Sequence, residues 1–132
     1  MSQLALLNDR TGDVVISNLM VADNFFARLV GLQFRPRLAH GTGFLLVPCP
    51  SIHTFCMRFA IDAVFLSREG RVVQVTSGVR PWRFVVCREK AHAVLEVVSN
   101  DSSVTFKVGD HLRVAGDGAR CLPKSLQFLA GG

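Results

Sequence analysis

Val64, Phe65 and Leu66 are three consecutive apolar residues inside the segment SIHTFCMRFAIDAVFLSREG, residues 51–70. Neighbouring side chains on a strand point to opposite faces. An apolar run on both parities therefore reads as a central strand covered on both sides. The segment closes on Arg68-Glu69-Gly70, a turn signal, and RVVQVT follows as a second strand. A chain with such a hairpin at its centre must fold in layers, and the other segments are read as those layers.

Residues 4–7 and 14–16 are short apolar runs around Asn8-Asp9-Arg10-Thr11-Gly12, the turn chemistry of an opening β-hairpin. Residues 25–31 pair Phe25 with Leu29 and Phe26 with Val30 at i,i+4, behind Asp23 or Asn24 as N-cap and ahead of Pro36. That spacing predicts a short amphipathic helix. Residues 44–47 form a strand closed by Pro48-Cys49-Pro50, and residues 77–83 form a long connection containing Gly78 and Pro81. Residues 84–87 and 92–98 are short strands, the second with His92 and Glu96 turned outward. Residues 105–108 and 111–114 flank Gly109-Asp110 as a last hairpin. Leu122, Leu126 and Leu129 of the tail pack back on the body. The expected fold is mainly β, an antiparallel sandwich or barrel of jelly-roll type, with one short helix covering an opening. The 132 residues make a single domain, its core at about 3–115 and its tail at 116–132.

The net charge of +5 permits a polyanionic partner, but the basic residues are mostly Arg, spread along the chain without a run of five. The ten Phe and no Tyr suit a core more than a wet interface. No secretory signal and no apolar run of 18 residues is present, so the expectation is a soluble cytoplasmic protein, monomeric, with reduced thiols and no cofactor. GxGxxG, the Walker A loop and GxSxG are all absent.

The chemistry is concentrated in residues 49–62. In a regular strand over 52–59, His53, Phe55, Met57 and Phe59 share one face and Ile52, Thr54, Cys56 and Arg58 the other. Asp62 is a carboxylate in an apolar run, which is costly unless bonded or paired. It either ties down a turn backbone or meets a ligand, with Arg58 or Arg28 as its cationic partner. Cys49, His53 and Cys56 invite a metal reading, with Met57 as a soft neighbour. Strand geometry opposes it, because four residues span about 13 Å and His53 and Cys56 face opposite ways. Thr54 and Ser51 cap a loop or donate to a ligand. Trp82 follows Pro81 in a loop and packs on the body.

Ala27-Arg28 with Gly31-Leu32, Gly43-Phe44-Leu45-Leu46 with Pro48-Cys49, residues 51–66, Gly70 with Val72-Val73, Arg80-Pro81-Trp82, Ala93-Val94-Leu95-Glu96 and Val108-Gly109-Asp110 occur here in one order. In that order the chain resembles the DUF192 family of uncharacterised proteins over residues 20–114. The resemblance implies a compact, mainly antiparallel β fold with one short helix, and no activity. The chain departs from the family in having Ala60 where Pro commonly precedes Ile-Asp, and Val-Val-Ser-Asn-Asp where a small-residue Gly turn is usual.

Three functional readings follow. In the first, Arg28, His53, Thr54, Met57, Arg58 and Asp62 line a pocket for a small polar or anionic ligand. In the second, the chain is a protein- or RNA-interaction domain using Arg35, Arg37, Arg80, Arg83 and Arg88 in loops. With few aromatics expected at the surface to stack bases, RNA ranks below a small ligand. In the third, a Cys/His-dependent enzyme, Cys56, His53, Asp62 and Arg58 converge in a cleft, with His92 or His111 approaching from other strands.

Overall fold

β6 (Ile61–Leu66) turns through residues 67–71 into β7 (Val72–Val79), as the sequence predicts. The computed structural model describes residues 4–22, 39–49, 51–54, 57–87, 90–99, 105–115 and 122–130. Gly70 makes the turn possible. Its φ is +78°, and a Cβ built on it would stand 2.8 Å from the carbonyl oxygen of Leu112. Both the left-handed backbone and the close approach require glycine.

The other strands are β1 (Ala5–Asn8), β2 (Asp13–Ile16), β3 (Asn18–Ala22), β4 (Thr42–Leu46), β5 (Ser51–His53), β8 (Phe84–Val86), β9 (Ala93–Val98) and β10 (Leu112–Ala115). They form a five-stranded sheet in the order β3-β4-β9-β6-β7, a three-stranded sheet β10-β1-β2, and a ribbon β5-β8. β3 and β4 run parallel and the other pairs antiparallel. The fold is therefore mainly β, with one short helix among the described residues, a 3-10 turn at Lys124–Leu129. The sheets do not close on one another, so the barrel form of the expectation gives way to stacked layers. The predicted helix at 25–31 lies outside the described residues.

The five-stranded sheet is the middle layer. On one face Leu45, Val64, Leu66, Leu95 and Val97 pack with Leu6, Ile16, Leu112 and Val114 of the three-stranded sheet. Leu126 and Leu129 of the 3-10 helix close this core, so the tail does pack back. On the opposite face Phe44, Ala63, Phe65 and Val94 pack with Ile52, Met57 and Cys87 from the ribbon side. Full burial of a side chain such as Phe65 is worth ~1.5–3 kcal/mol, so β6 and β9 contribute to two cores at once.

Four local expectations fail. Residues 52–59 are not one strand: β5 ends at His53, the Met57 amide donates to the Thr54 carbonyl (3.2 Å), and β6 begins only at Ile61. The parity linking Arg58 to Asp62 is lost with it. β7 runs to Val79, so the long connection shrinks to residues 80–83. Residues 105–108 are not a strand, and β10 pairs with β1 instead. Glu96 points into the protein, at 2% exposure.

Asp110 replaces the missing hairpin as the fastener of this corner. It is buried and accepts hydrogen bonds from Asn8 Nδ2 (2.9 Å), Arg10 Nε (2.6 Å) and the Lys107 amide (2.9 Å). Burial alone would raise its pKa. The bonds from Arg10, Lys107 and Asn8, with the charge of Arg10, outweigh burial and hold it below the usual carboxylate range. A carboxylate with a depressed folded pKa stabilises the fold above its unfolded pKa and loses that contribution as pH falls through the folded value. Asp110→Ala, measured by urea denaturation at pH 7, should cost about 1–3 kcal/mol because it orphans buried donors. The difference from the parent should shrink below about pH 4.

Candidate functional site

The ribbon pairs Ser51 with Val86, Ile52 with Val85 and His53 with Phe84. Ile52 is buried and Val85 packs beside it against the middle sheet. By alternation, Ser51, His53, Phe84 and Val86 lie on the outer face. Thr54, which follows β5, is fully buried. Its amide donates to the Arg83 carbonyl (2.8 Å), and its own carbonyl accepts from the Trp82 amide (2.9 Å). Its hydroxyl donates to the Arg80 carbonyl (2.6 Å) and accepts from the Arg83 amide (2.8 Å). Thr54 thus clamps the 80–83 loop onto β5.

Among the described residues, the sequence-predicted site residues Met57 and Asp62 lie on opposite faces of the middle sheet. Met57 is buried in the wall between ribbon and sheet. Arg58 lies exposed in the bend that follows. Asp62 pairs with Val97 and so shares the face of Val64 and Leu66, away from the ribbon. Its Oδ1 accepts from the Gly78 amide at 2.8 Å, beside a small cavity of about 130 Å³ bordered by Val97 and Phe106. Arg28 and Cys56 lie outside the described residues. Among the described residues no three His, Cys, Asp or Glu side chains converge on a point suited to a metal ion, and no helix is long and apolar enough to cross a membrane.

Glu96 is the residue that the sequence reading missed. Its backbone partners are Phe44 on β4 and Ala63 on β6, which places it on the ribbon-side face of the middle sheet. Thr76, the partner of Ala63 on β7, continues the same row. Glu96 has no hydrogen-bond or ion-pair partner among the described residues, and burial pushes its pKa up to about 8. At neutral pH it is a carboxylic acid, offering one O–H donor and one acceptor side by side. A signal was present in the run Val94-Leu95-Glu96-Val97-Val98. A strand apolar on both parities has no outward face for an acid to occupy.

Two open clefts lie elsewhere. One, of about 480 Å³, is lined by Cys49, Arg68, Glu69, Lys90 and His92. There Cys49 Sγ contacts the Ser51 carbonyl at 2.7 Å. His92 is edge-on to Phe128 (4.8 Å), and burial, then the Arg68 charge, lower its pKa. The other, of about 610 Å³, is bordered by Asp9, Arg10, Arg71 and Lys107. Its acids are already engaged, Asp110 with Arg10 and Asp9 with His111 (2.9 Å) and Arg113 (2.8 Å).

Comparison with known proteins gives a consistent result. The model of the DUF192 family, described as "Uncharacterized ACR", matches residues 7–114. A UPF0127 protein of Pyrococcus furiosus is 34% identical over 116 residues, covering 81% of this chain and 95% of its own length. One from Thermococcus sibiricus is 32% identical over 112 residues, covering 81% and 72%. The crystal structure of a protein of unknown function from Novosphingobium aromaticivorans superposes with a TM-score of 0.72 at 18% identity, covering 84% of this chain and 83% of that one. That of a putative transcription regulator from Sinorhizobium meliloti superposes at 0.74 and 20%, covering 87% and 94%. At these identities the two structures share the fold.

The raised pKa of Glu96 has a thermodynamic sign. Below the ordinary carboxylate pKa both folded and unfolded states carry the proton, and nothing is lost. Between there and about 8 the folded state holds a proton that the unfolded state releases, so stability falls as pH rises. The full loss is on the order of 4 kcal/mol. Denaturant unfolding of the parent should show this decline between about pH 5 and 8, and Glu96→Gln, which does not titrate, should flatten it.

Proposed function

We propose that this chain, which belongs to the DUF192 family, is a binding domain that seats a small neutral polar ligand against the carboxyl of Glu96, between the five-stranded sheet and the β5-β8 ribbon. The observation that carries the reading is Glu96, a residue 2% exposed, its carboxyl held protonated by burial and without a partner among the described residues. Leaving such a group unbonded in an apolar layer costs on the order of 1–3 kcal/mol. A ligand that supplies the missing bonds recovers that cost. Apolar walls with a few convergent polar groups are the usual composition of a small-molecule site, and Phe44, Ala63 and Met57 supply the walls here.

The chemistry of the ligand follows from the protonation state. A neutral carboxylic acid pairs best with a group carrying a donor and an acceptor side by side, such as a carboxamide or a cyclic amide. An anion would need a cation within this layer. Arg58 is exposed, and Asp62 lies on the other face of the sheet. The reading therefore narrows the polar-or-anionic ligand to a neutral one. A cytoplasmic monomer is part of the same proposal.

Nitrogen–proton NMR of the labelled protein tests it, with nicotinamide as a neutral amide probe and acetate as an anionic one, each at up to about 10 mM, the range in which fragments bind. Nicotinamide should shift the amides of Phe44, Ala63 and Glu96 and raise the titration midpoint of Glu96, because it binds the protonated form. Shifts from acetate alone, or none at these strands, would contradict the reading.

A further inference from the structure

We infer that the outer face of the β5-β8 ribbon is a docking surface for single-stranded nucleic acid, with Trp82 and Phe84 stacking on bases and Arg80 and Arg83 contacting phosphates. Trp82 and Phe84 are each 62% exposed and Val86 is 58% exposed. Aromatics were expected inside, and these two are not. The ribbon's inner face is already supplied by Ile52 and Val85, and Phe84 and Val86 belong to neither core.

Phe84 and Val86 share the outer face of β8, and Trp82 stands just before them in the 80–83 loop. His53, the cross-strand partner of Phe84, is half-buried on the same face. Trp82 is held out by the backbone. Its φ is +66°, in the left-handed region that costs a non-glycine residue about 1 kcal/mol or more. The Thr54 clamp, bonding the Trp82 and Arg83 amides at 2.9 and 2.8 Å, maintains that conformation. The backbone that presents Trp82 is thus set by the Thr54 clamp.

Charge selects the occupant. Residues 51–60 and 79–87, which build the ribbon and its loops, contain Arg58, Arg80 and Arg83 and no Asp or Glu. All three Arg are exposed, and Arg83 Nη1 reaches the Trp82 carbonyl at 3.5 Å. Aromatic faces interleaved with cations suit a flexible polyanion whose rings are free to stack. A duplex hides those rings.

Trp82 is the only tryptophan, so its fluorescence reports directly on this face. Twelve-residue oligouridine and oligothymidine should each be titrated into the protein, beside a duplex of equal length and phosphatidylglycerol vesicles. The inference predicts quenching by at least one single strand, weakening steeply with added salt, and little response to duplex or vesicles. The stronger of the two strands identifies RNA or DNA. Phe84→Ala, at an exposed position, should keep the parent melting temperature and weaken binding about fivefold or more. Arg80→Ala should reduce the salt dependence. Absence of quenching by both strands, an equal response to duplex or vesicles, or undiminished affinity in a folded Phe84→Ala would overturn the inference.

Discussion

Burial of β6 and β9 on both faces is the constraint from which the rest of the structure follows. Both strands sit inside the five-stranded sheet with a neighbour on each edge. Each sends alternate side chains into two different cores, Val64 and Leu95 to one and Phe65 and Val94 to the other. Two sets of elements must then cover the two faces. The β10-β1-β2 sheet with the 3-10 helix covers one, and the ribbon side covers the other. Gly70 lets the β6–β7 turn lie directly against β10, and Asp110 fixes that corner by drawing in Asn8, Arg10 and Lys107.

The same constraint makes Glu96 conspicuous. On a strand with one solvated face, a glutamate is unremarkable surface chemistry. On β9 its described neighbours are mostly apolar, and it remains protonated because ionising it there would cost more than holding the proton. Thr54 divides the ribbon into two chemical surfaces. By fastening the 80–83 loop to β5, it keeps Ile52 and Val85 turned inward over the layer that contains Glu96, and Trp82 and Phe84 turned out to solvent. The proposed neutral ligand within and the inferred stackable ligand without both follow from one ribbon.

Much of the layering was legible in the sequence, because it depends on local periodicity. Val64-Phe65-Leu66 announced a doubly covered strand, Arg68-Glu69-Gly70 its turn, and Leu122, Leu126 and Leu129 the returning tail. The parallel β3-β4 pair was not legible, since nothing local distinguishes a strand that pairs across a crossover. The break after His53 was missed for a related reason. Thr54 leaves the strand because its hydroxyl is needed by Arg80 and Arg83, about thirty residues away in sequence. Asp62 was correctly singled out as an acid in an apolar run, and its bond to the Gly78 amide is of the backbone-tying kind. Glu96 satisfied the same criterion and was misread as outward because alternation was applied without asking whether its strand had an outer face. Composition suggested that the aromatics fill a core, and Trp82 was expected to pack on the body from its loop after Pro81; neither argument says which aromatics remain exposed once the inner face of a two-stranded ribbon is filled.

The account turns on the protonation state of one side chain. Carbon-detected NMR of the Glu96 carboxyl across pH 3 to 10 measures it directly, without any ligand and independently of stability. A titration midpoint near 8, well separated from those of the exposed carboxylates, is the result predicted by the buried position on β9. A midpoint in the ordinary range near 4 would mean that water or a cation reaches the group, and the neutral site between sheet and ribbon would not exist.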